Sequence, residues 1–143
     1  MSSRSVTATA KCAGHAMTLR ALLAIKQRRE IALRRQLAQQ RSQLRQLEQD
    51  IYTCSTHRAL LAEKRNAWLG WSGTRISDEL LAHKQTLMAL RDEDQQWMAN
   101  QIALSEEQRA VLAQQYAIRQ ALNVVMKKKE KLHSVLNDTG CRR

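Results

Sequence analysis

The chain has no proline, no phenylalanine and only 4 glycines among its 143 residues. Sandwiches, barrels and βαβ sheets need frequent turns, and proline and glycine form most of those turns. We therefore exclude these fold classes. Ala, Glu, Lys, Leu and Arg instead account for 70 of the residues, a composition that is typical of long helices and coiled coils.

Long uncharged apolar runs are also missing. The best candidate, Leu19 to Ile25, is interrupted by Arg20 and followed by Lys26. It is too short to span a bilayer and makes a poor signal peptide. The 3 cysteines are an odd number without the spacing of a metal site or a disulfide framework. We expect a cytosolic protein without a transmembrane segment.

Signatures of catalysis are lacking as well. The sequence has no phosphate-binding glycine loop and no nucleophile elbow. Its 4 histidines lie far apart, and only His57 and His83 are expected to approach each other in a helical hairpin. No cysteine or carboxylate joins these two at ligand spacing. The sequence therefore predicts no metal site, no cofactor and no enzyme activity.

The glycines and the polar residues divide the chain into segments. Residues 1–16 are rich in Ser and Thr without an apolar period, which predicts a disordered tail, and residues 139–143 are expected to be flexible. Between them we predict a helical hairpin over 17–138. Its first helix covers about 18–69 with Thr18 as N-cap, the turn covers 70–76, and the second helix covers about 77–137 with Ser77 as N-cap. In this interpretation all four glycines, Gly14 included, punctuate the chain.

A heptad repeat follows both predicted helices. Counting in sevens from Ile76 gives these d positions of the second helix: Ile76, His83, Leu90, Trp97, Leu104, Val111, Ile118, Val125 and Leu132. The matching a positions include polar residues, so the seam is narrow and partly polar. Helix one has a heptad repeat of its own, counted from Leu19. Its d positions are Leu19, Lys26, Leu33, Gln40, Leu47, Cys54, Leu61 and Trp68, and its a positions are Leu23, Glu30, Leu37, Leu44, Ile51, Arg58 and Arg65. The sequence predicts an all-α fold, a long antiparallel two-helix coiled-coil hairpin in which residue i lies beside about 144 − i.

Most of the net charge is expected at the open end of this hairpin. The chain has 24 Lys and Arg against 13 Asp and Glu, a net +11. In the expected register, 11 bases near the open end face only Glu30 and Glu130, which gives this end a net charge of +9. The C-terminal end of helix two is expected to project past helix one. Such an end suits an acidic cavity or phosphates. The alternative is that Lys127 to Lys131 merely complement the dipole at a helix C-terminus.

Aromatic residues mark the other end. Trp68, Leu69 and Trp71 surround the turn glycines, which suggests a second contact surface or, alternatively, a hydrophobic clasp that closes the hairpin. Base stacking would require aromatics near the basic patch, so we expect no specific nucleic-acid binding. A nonspecific nucleic-acid or anionic-surface binding coiled coil stays open as an alternative function. A homo-oligomeric coiled coil with a structural role is a third.

Three segments carry a resemblance to a known family, and together they cover roughly residues 17–138. They are Leu22 to Leu37 with Arg28-Arg29-Glu30, the turn Trp68 to Thr74, and Met126 to Lys131 followed by Val135-Leu136. The chain resembles the SctO family, the YscO and FliJ type stalk proteins of type III secretion, and within it the SsaO branch. The turn and the lysine run are the more specific parts, because any coiled coil supplies the leucine pattern.

The resemblance implies a noncatalytic central stalk and adaptor, cytoplasmic and peripheral to the inner membrane through the secretion apparatus. Its expected partners are the hexameric secretion ATPase and the cytoplasmic domain of the export gate. Export chaperones are further partners that the family suggests, without an identifiable site in this sequence. The basic open end would enter the ATPase pore through Arg28, Arg29, Arg34, Lys127, Lys128, Lys129 and Lys131. The turn would contact the export gate through Trp68, Leu69 and Trp71.

Overall fold

Two long helices form the fold in a computed structural model of the chain. Helix α1 spans Ser2–Leu69 and helix α2 spans Ser77–Asp138. The structure describes the backbone of residues 2–70 and 77–138 and the side chains of 14–70 and 78–138, and it has no strand in this part of the chain. The two helices pack against each other, which confirms the expected all-α helical hairpin.

Helix α1 begins earlier than the sequence indicates. The Thr18 hydroxyl donates a 3.0 Å hydrogen bond to the Gly14 carbonyl, one turn back along the same helix. Thr18 therefore lies inside α1, and the expected N-cap there is wrong. Gly14 does not break the helix either, because a single glycine costs only about 1 kcal/mol relative to alanine. The helix thus extends over residues expected to form a tail.

Helix α1 ends at the first glycine of the predicted turn. The Gly70 N–H donates a 2.8 Å hydrogen bond to the Asn66 carbonyl, which completes the last helical turn. A β-carbon at Gly70 would lie 3.2 Å from that oxygen, so a larger residue would displace the end of the helix. The rest of the turn, residues 71–76, and the side chain of the expected cap Ser77 lie outside the described residues. Asp78 and Glu79 occupy the first turn of α2, where the helix dipole favours acids.

The heptad frame accounts for the residues that the hairpin buries. Every described a and d position is buried or half-buried except Arg65, Trp68 and Leu80. These exceptions lie close to the turn. The buried apolar residues of the seam are Ala16, Leu23, Leu33, Leu37, Leu47, Cys54, Leu61, Val111, Leu122 and Val125. The free thiol of Cys54 is one of them and fills the seam as a small apolar residue.

The hairpin divides into two units. The terminal unit comprises Met1–Arg41 and Ala113–Arg143, and the middle unit comprises Ser42–Leu112. In the terminal unit, Leu33 and Leu37 of α1 pack with Leu122 and Val125 of α2. In the middle unit, the contacts across the seam include polar groups. The Arg58 guanidinium donates hydrogen bonds to Asp94 at 3.0 Å and to Gln101 at 3.1 Å.

The pairing of the helices differs from the expected register: the described contacts across the seam join residues whose numbers sum to between 151 and 159 instead of 144. The expected rule, residue i beside 144 − i, pairs Trp68 with Ile76, whereas Trp68 contacts His83 at a ring-centroid distance of 4.9 Å. The a and d positions face the partner helix whichever residues they meet along it, so apolar periodicity does not distinguish the two registers. The ion pair between Arg58 and Asp94 forms only in the observed register.

The shift in register also changes the surroundings of the lysine run. Lys129 lies beside Glu30, with 2.6 Å between its ammonium nitrogen and the carboxylate. The lysine run therefore lies alongside α1. The expectation that this part of helix two projects past helix one is wrong.

Candidate partner-binding surfaces

The two units differ sharply in charge. The terminal unit contains 16 Lys and Arg against 3 Asp and Glu, a net +13. The middle unit contains 8 Lys and Arg against 10 Asp and Glu, a net −2. The concentration of positive charge expected from the sequence is thus present in the observed register as well, because the bases near both chain ends belong to the same unit.

Six of the seven predicted ATPase contacts are exposed cations of the terminal unit, and all of these except Arg34 join no ion pair among the described residues. Arg28 and Arg29 are exposed on α1, and Lys127, Lys128 and Lys131 are exposed on α2. None of the ion pairs among the described residues involves them. Their heptad positions, c, f and g, lie off the a/d seam. These five residues, called the cationic cluster below, are therefore available to an acidic partner.

The other two predicted contacts, Arg34 and Lys129, share one carboxylate. Glu30 accepts a 2.6 Å hydrogen bond from Lys129 across the seam and bonds of 2.9 and 3.1 Å from Arg34. The hydrogen bond from Lys129 and then that from Arg34 lower the pKa of Glu30, against a smaller opposing effect of burial. Lys129 and Glu30 both occupy a positions, so the heptad frame already contained the signal for this pair. The ion pair of Lys129 with Glu30 joins the two helices, whereas that of Arg34 with Glu30 lies within α1.

The predicted export-gate residues fall into two groups. Trp68 packs on His83 with the two rings tilted by 58°, as a clasp between the helices requires. Leu69 is 61% exposed at the end of α1 and is available to a partner. Trp71 lies outside the described residues. The packing of Trp68 fits a hydrophobic clasp, and the exposed Leu69 beside it does not exclude a contact surface.

The histidines do not assemble a site. His57 stacks on Trp97 with ring centroids 4.2 Å apart, whereas His83 contacts Trp68. Residues 57 and 68 are separated by about 16 Å along α1 at 1.5 Å per residue, so the expected approach of His57 to His83 is wrong. No group of three or more His, Cys, Asp or Glu side chains that could hold a metal ion occurs among the described residues.

The middle unit has open grooves beside the seam. One, of about 370 Å³, is lined by Cys54, Trp97 and neighbouring residues, and another, of about 430 Å³, is lined by Arg58, Met98 and Ile102 among others. Both lie between turns of paired helices. They are surface features of a two-helix seam, which has too little width to enclose a pocket.

Fold and charge together define a class: a two-helix coiled-coil hairpin with one strongly basic unit. The family model described as "Secretion system apparatus protein SsaO" matches residues 19–142. The chain is also 38% identical over 117 residues to the secretion system apparatus protein SsaO of Salmonella typhimurium strain LT2, covering 82% of this chain and 94% of that protein. The chain belongs to the SsaO family of secretion system apparatus proteins. No solved structure matches it significantly.

The family match confirms the resemblance to the SsaO branch and, with it, the expectation of an apparatus protein of type III secretion. Neither described helix contains a segment long and apolar enough to cross a membrane.

Proposed function

We propose that the chain is the noncatalytic central stalk of its secretion apparatus and that its terminal unit inserts into the pore of the hexameric secretion ATPase. The observation that carries this proposal is the division of charge, +13 in the terminal unit against −2 in the middle unit. A pore lined with carboxylates would attract the terminal unit and discriminate against the middle unit. The cationic cluster supplies the exposed contacts.

A two-helix hairpin in a sixfold ring has a mechanistic consequence. It presents different side chains in each direction and cannot make the same contacts with all six ATPase subunits. Subunits that bind it differently will differ in nucleotide affinity, because coupling between two binding events is reciprocal. The chain would therefore stimulate hydrolysis by biasing the ring without contributing a catalytic group.

We propose the turn side of the middle unit as the contact to the cytoplasmic domain of the export gate. Leu69 is exposed beside Trp68, which is itself anchored on His83. A rigid aromatic next to an exposed aliphatic residue suits a small apolar contact. Trp71 follows Leu69 by two residues in the sequence and belongs to the same proposed surface. The stalk would thereby link the ATPase to the gate at the cytoplasmic side of the inner membrane.

The test of the pore contact is charge reversal in two matched triple variants. K127E/K128E/K131E should abolish stimulation of the purified ATPase, whereas K64E/K84E/R91E changes the charge equally on exposed positions of the middle unit and should leave stimulation intact. Lys129 is kept, because its reversal would place two acids together in the seam. Circular dichroism of both variants checks that the helices remain. Equal stimulation by both variants would refute the pore assignment.

The same variants separate the stalk from a nonspecific anion binder. If the native chain binds DNA with a steep salt dependence but does not stimulate the ATPase at physiological salt, the cationic cluster serves polyanions in general. Stimulation at that salt, lost only in K127E/K128E/K131E, supports the stalk.

A further inference from the structure

The face of α1 opposite the seam is apolar within the terminal unit. Between Met17 and Ala38 the b, c and f positions are ten residues, and seven of them are apolar: Met17, Ala21, Ala24, Ile25, Ile31, Ala32 and Ala38. The other three are Thr18, Arg28 and Arg35. These positions normally carry polar residues because water covers them. Helix α1 is thus apolar on two opposite faces, and the hairpin covers one.

The largest side chains on this outer face are exposed. Met17 is 71% exposed, Ile25 56% and Ile31 52%. The corresponding face of α2 within the same unit is more polar, since only four of its ten b, c and f positions from 113 to 134 are apolar: Ala113, Tyr116, Ala117 and Val124. Exposed apolar residues gathered on one side of one helix indicate a surface that a partner covers.

The charges on this face indicate the chemistry of that partner. Among the exposed residues from 14 to 41 of α1 there is no acidic side chain. Around the helix, the f positions of Arg28 and Arg35 lie between the b position of Ile31 and the c position of Ile25. The complementary surface has apolar side chains with carboxylates between them. A second copy of the chain does not fit, because two terminal units of +13 would meet with their arginines facing each other.

An anionic membrane fits less well than a protein. Helices that lie in a membrane interface rely on Trp, Phe and Leu for insertion. In the terminal unit Tyr116 is the one aromatic residue, and it lies on α2. The outer face of α1 is instead built from three large aliphatic residues and four alanines, and alanines allow another protein backbone to approach closely.

We propose that this outer face, Met17 to Ala38 with Ile25 and Ile31 at its centre, is a second, apolar contact with the secretion ATPase, which rests on the stalk function proposed above. The cationic cluster guides the hairpin into the pore, and the outer face of α1 holds it there. Affinity should then have a part that salt does not weaken, because apolar burial is not screened.

The experiment compares ATPase affinity of the native chain with that of I25Q/I31Q and of M88Q/I102Q, at 0.1 and 0.5 M NaCl. Met88 and Ile102 are 55% and 51% exposed at b positions of the middle unit, so the second variant is a matched control. Burying two isoleucines corresponds to at least about a tenfold effect on Kd. We expect that loss in I25Q/I31Q at both salt concentrations, with M88Q/I102Q unchanged.

The possible failures are distinguishable. If the native chain binds the ATPase and I25Q/I31Q binds equally well, the apolar contact is overturned and the stalk function stands. If the native chain does not bind the ATPase at either salt concentration, the stalk function itself fails. Sedimentation of the chain alone and flotation with phosphatidylglycerol vesicles complete the test. Dimerisation or vesicle binding that I25Q/I31Q abolishes would assign the face to another occupant and overturn the proposal.

Discussion

Substitution of Leu33 by alanine tests the seam on which the hairpin depends. Leu33 is 2% exposed and packs against Leu37, Leu122 and Val125. Leucine and alanine both favour helix, so the change acts through packing and not through the backbone. Buried Leu→Ala changes cost 2–5 kcal/mol, and we expect about 3 kcal/mol here. With a urea m-value of about 2 kcal/mol/M, the unfolding midpoint falls by about 1.5 M.

The matched control lies two residues earlier on the same helix. Ile31 is 52% exposed on the opposite face, so Ile31→Ala should change the free energy of unfolding by less than about 0.5 kcal/mol. Urea unfolding followed by circular dichroism at the helical minimum measures both variants. If Leu33→Ala costs no more than Ile31→Ala, the assignment of the seam to the a and d positions is wrong.

Three further predictions concern polar and exposed positions. The folded-state pKa of Glu30 lies below its ordinary 4.5, so the stability that Glu30 contributes is fully present above pH 4.5 and is lost as the pH falls through the folded-state value. The urea midpoints of the native chain and of E30Q should therefore converge at low pH, with E130Q as control. A double-mutant cycle of Arg58→Met and Asp94→Leu should give a coupling of up to about 1 kcal/mol, and zero coupling would remove this pair as a determinant of register. Leu69→Asp should weaken pull-down of the export gate's cytoplasmic domain while leaving the urea midpoint and ATPase stimulation unchanged, and undiminished gate binding would exclude Leu69 from the contact.

The sequence predicts the helical hairpin and its seam well, because both follow from local rules. A chain without proline and with a heptad repeat on both sides of one glycine-containing turn has few alternatives. The register is harder to predict. Pairing Trp68 with Ile76 or with His83 satisfies the apolar pattern equally, and the choice depends on polar pairs such as Arg58 with Asp94. Each such pair contributes little to the free energy of folding. Neither composition nor periodicity shows which polar residues meet across the seam.

The sequence predicts where the positive charge of the candidate contacts lies, but not which of these side chains are paired or exposed. Counting bases places the positive charge near both chain ends, whatever the register. The pairing of Lys129 with Glu30 depends on which a positions meet across the seam, so counting alone left Lys129 among the surface cations. The exposure of Ile25 and Ile31 is equally hard to predict from the sequence, because an apolar residue in a helix is first assigned to the core.

Electron cryomicroscopy of the chain bound to the hexameric ATPase of its secretion system tests the central claim most directly. The account predicts density for a pair of antiparallel helices inside the ring. Side chains of the terminal unit, including Arg28, Ile25 and Lys128, would face the pore lining. An empty pore with the chain bound on the outside of the ring, or a pore occupied by the middle unit, would contradict it.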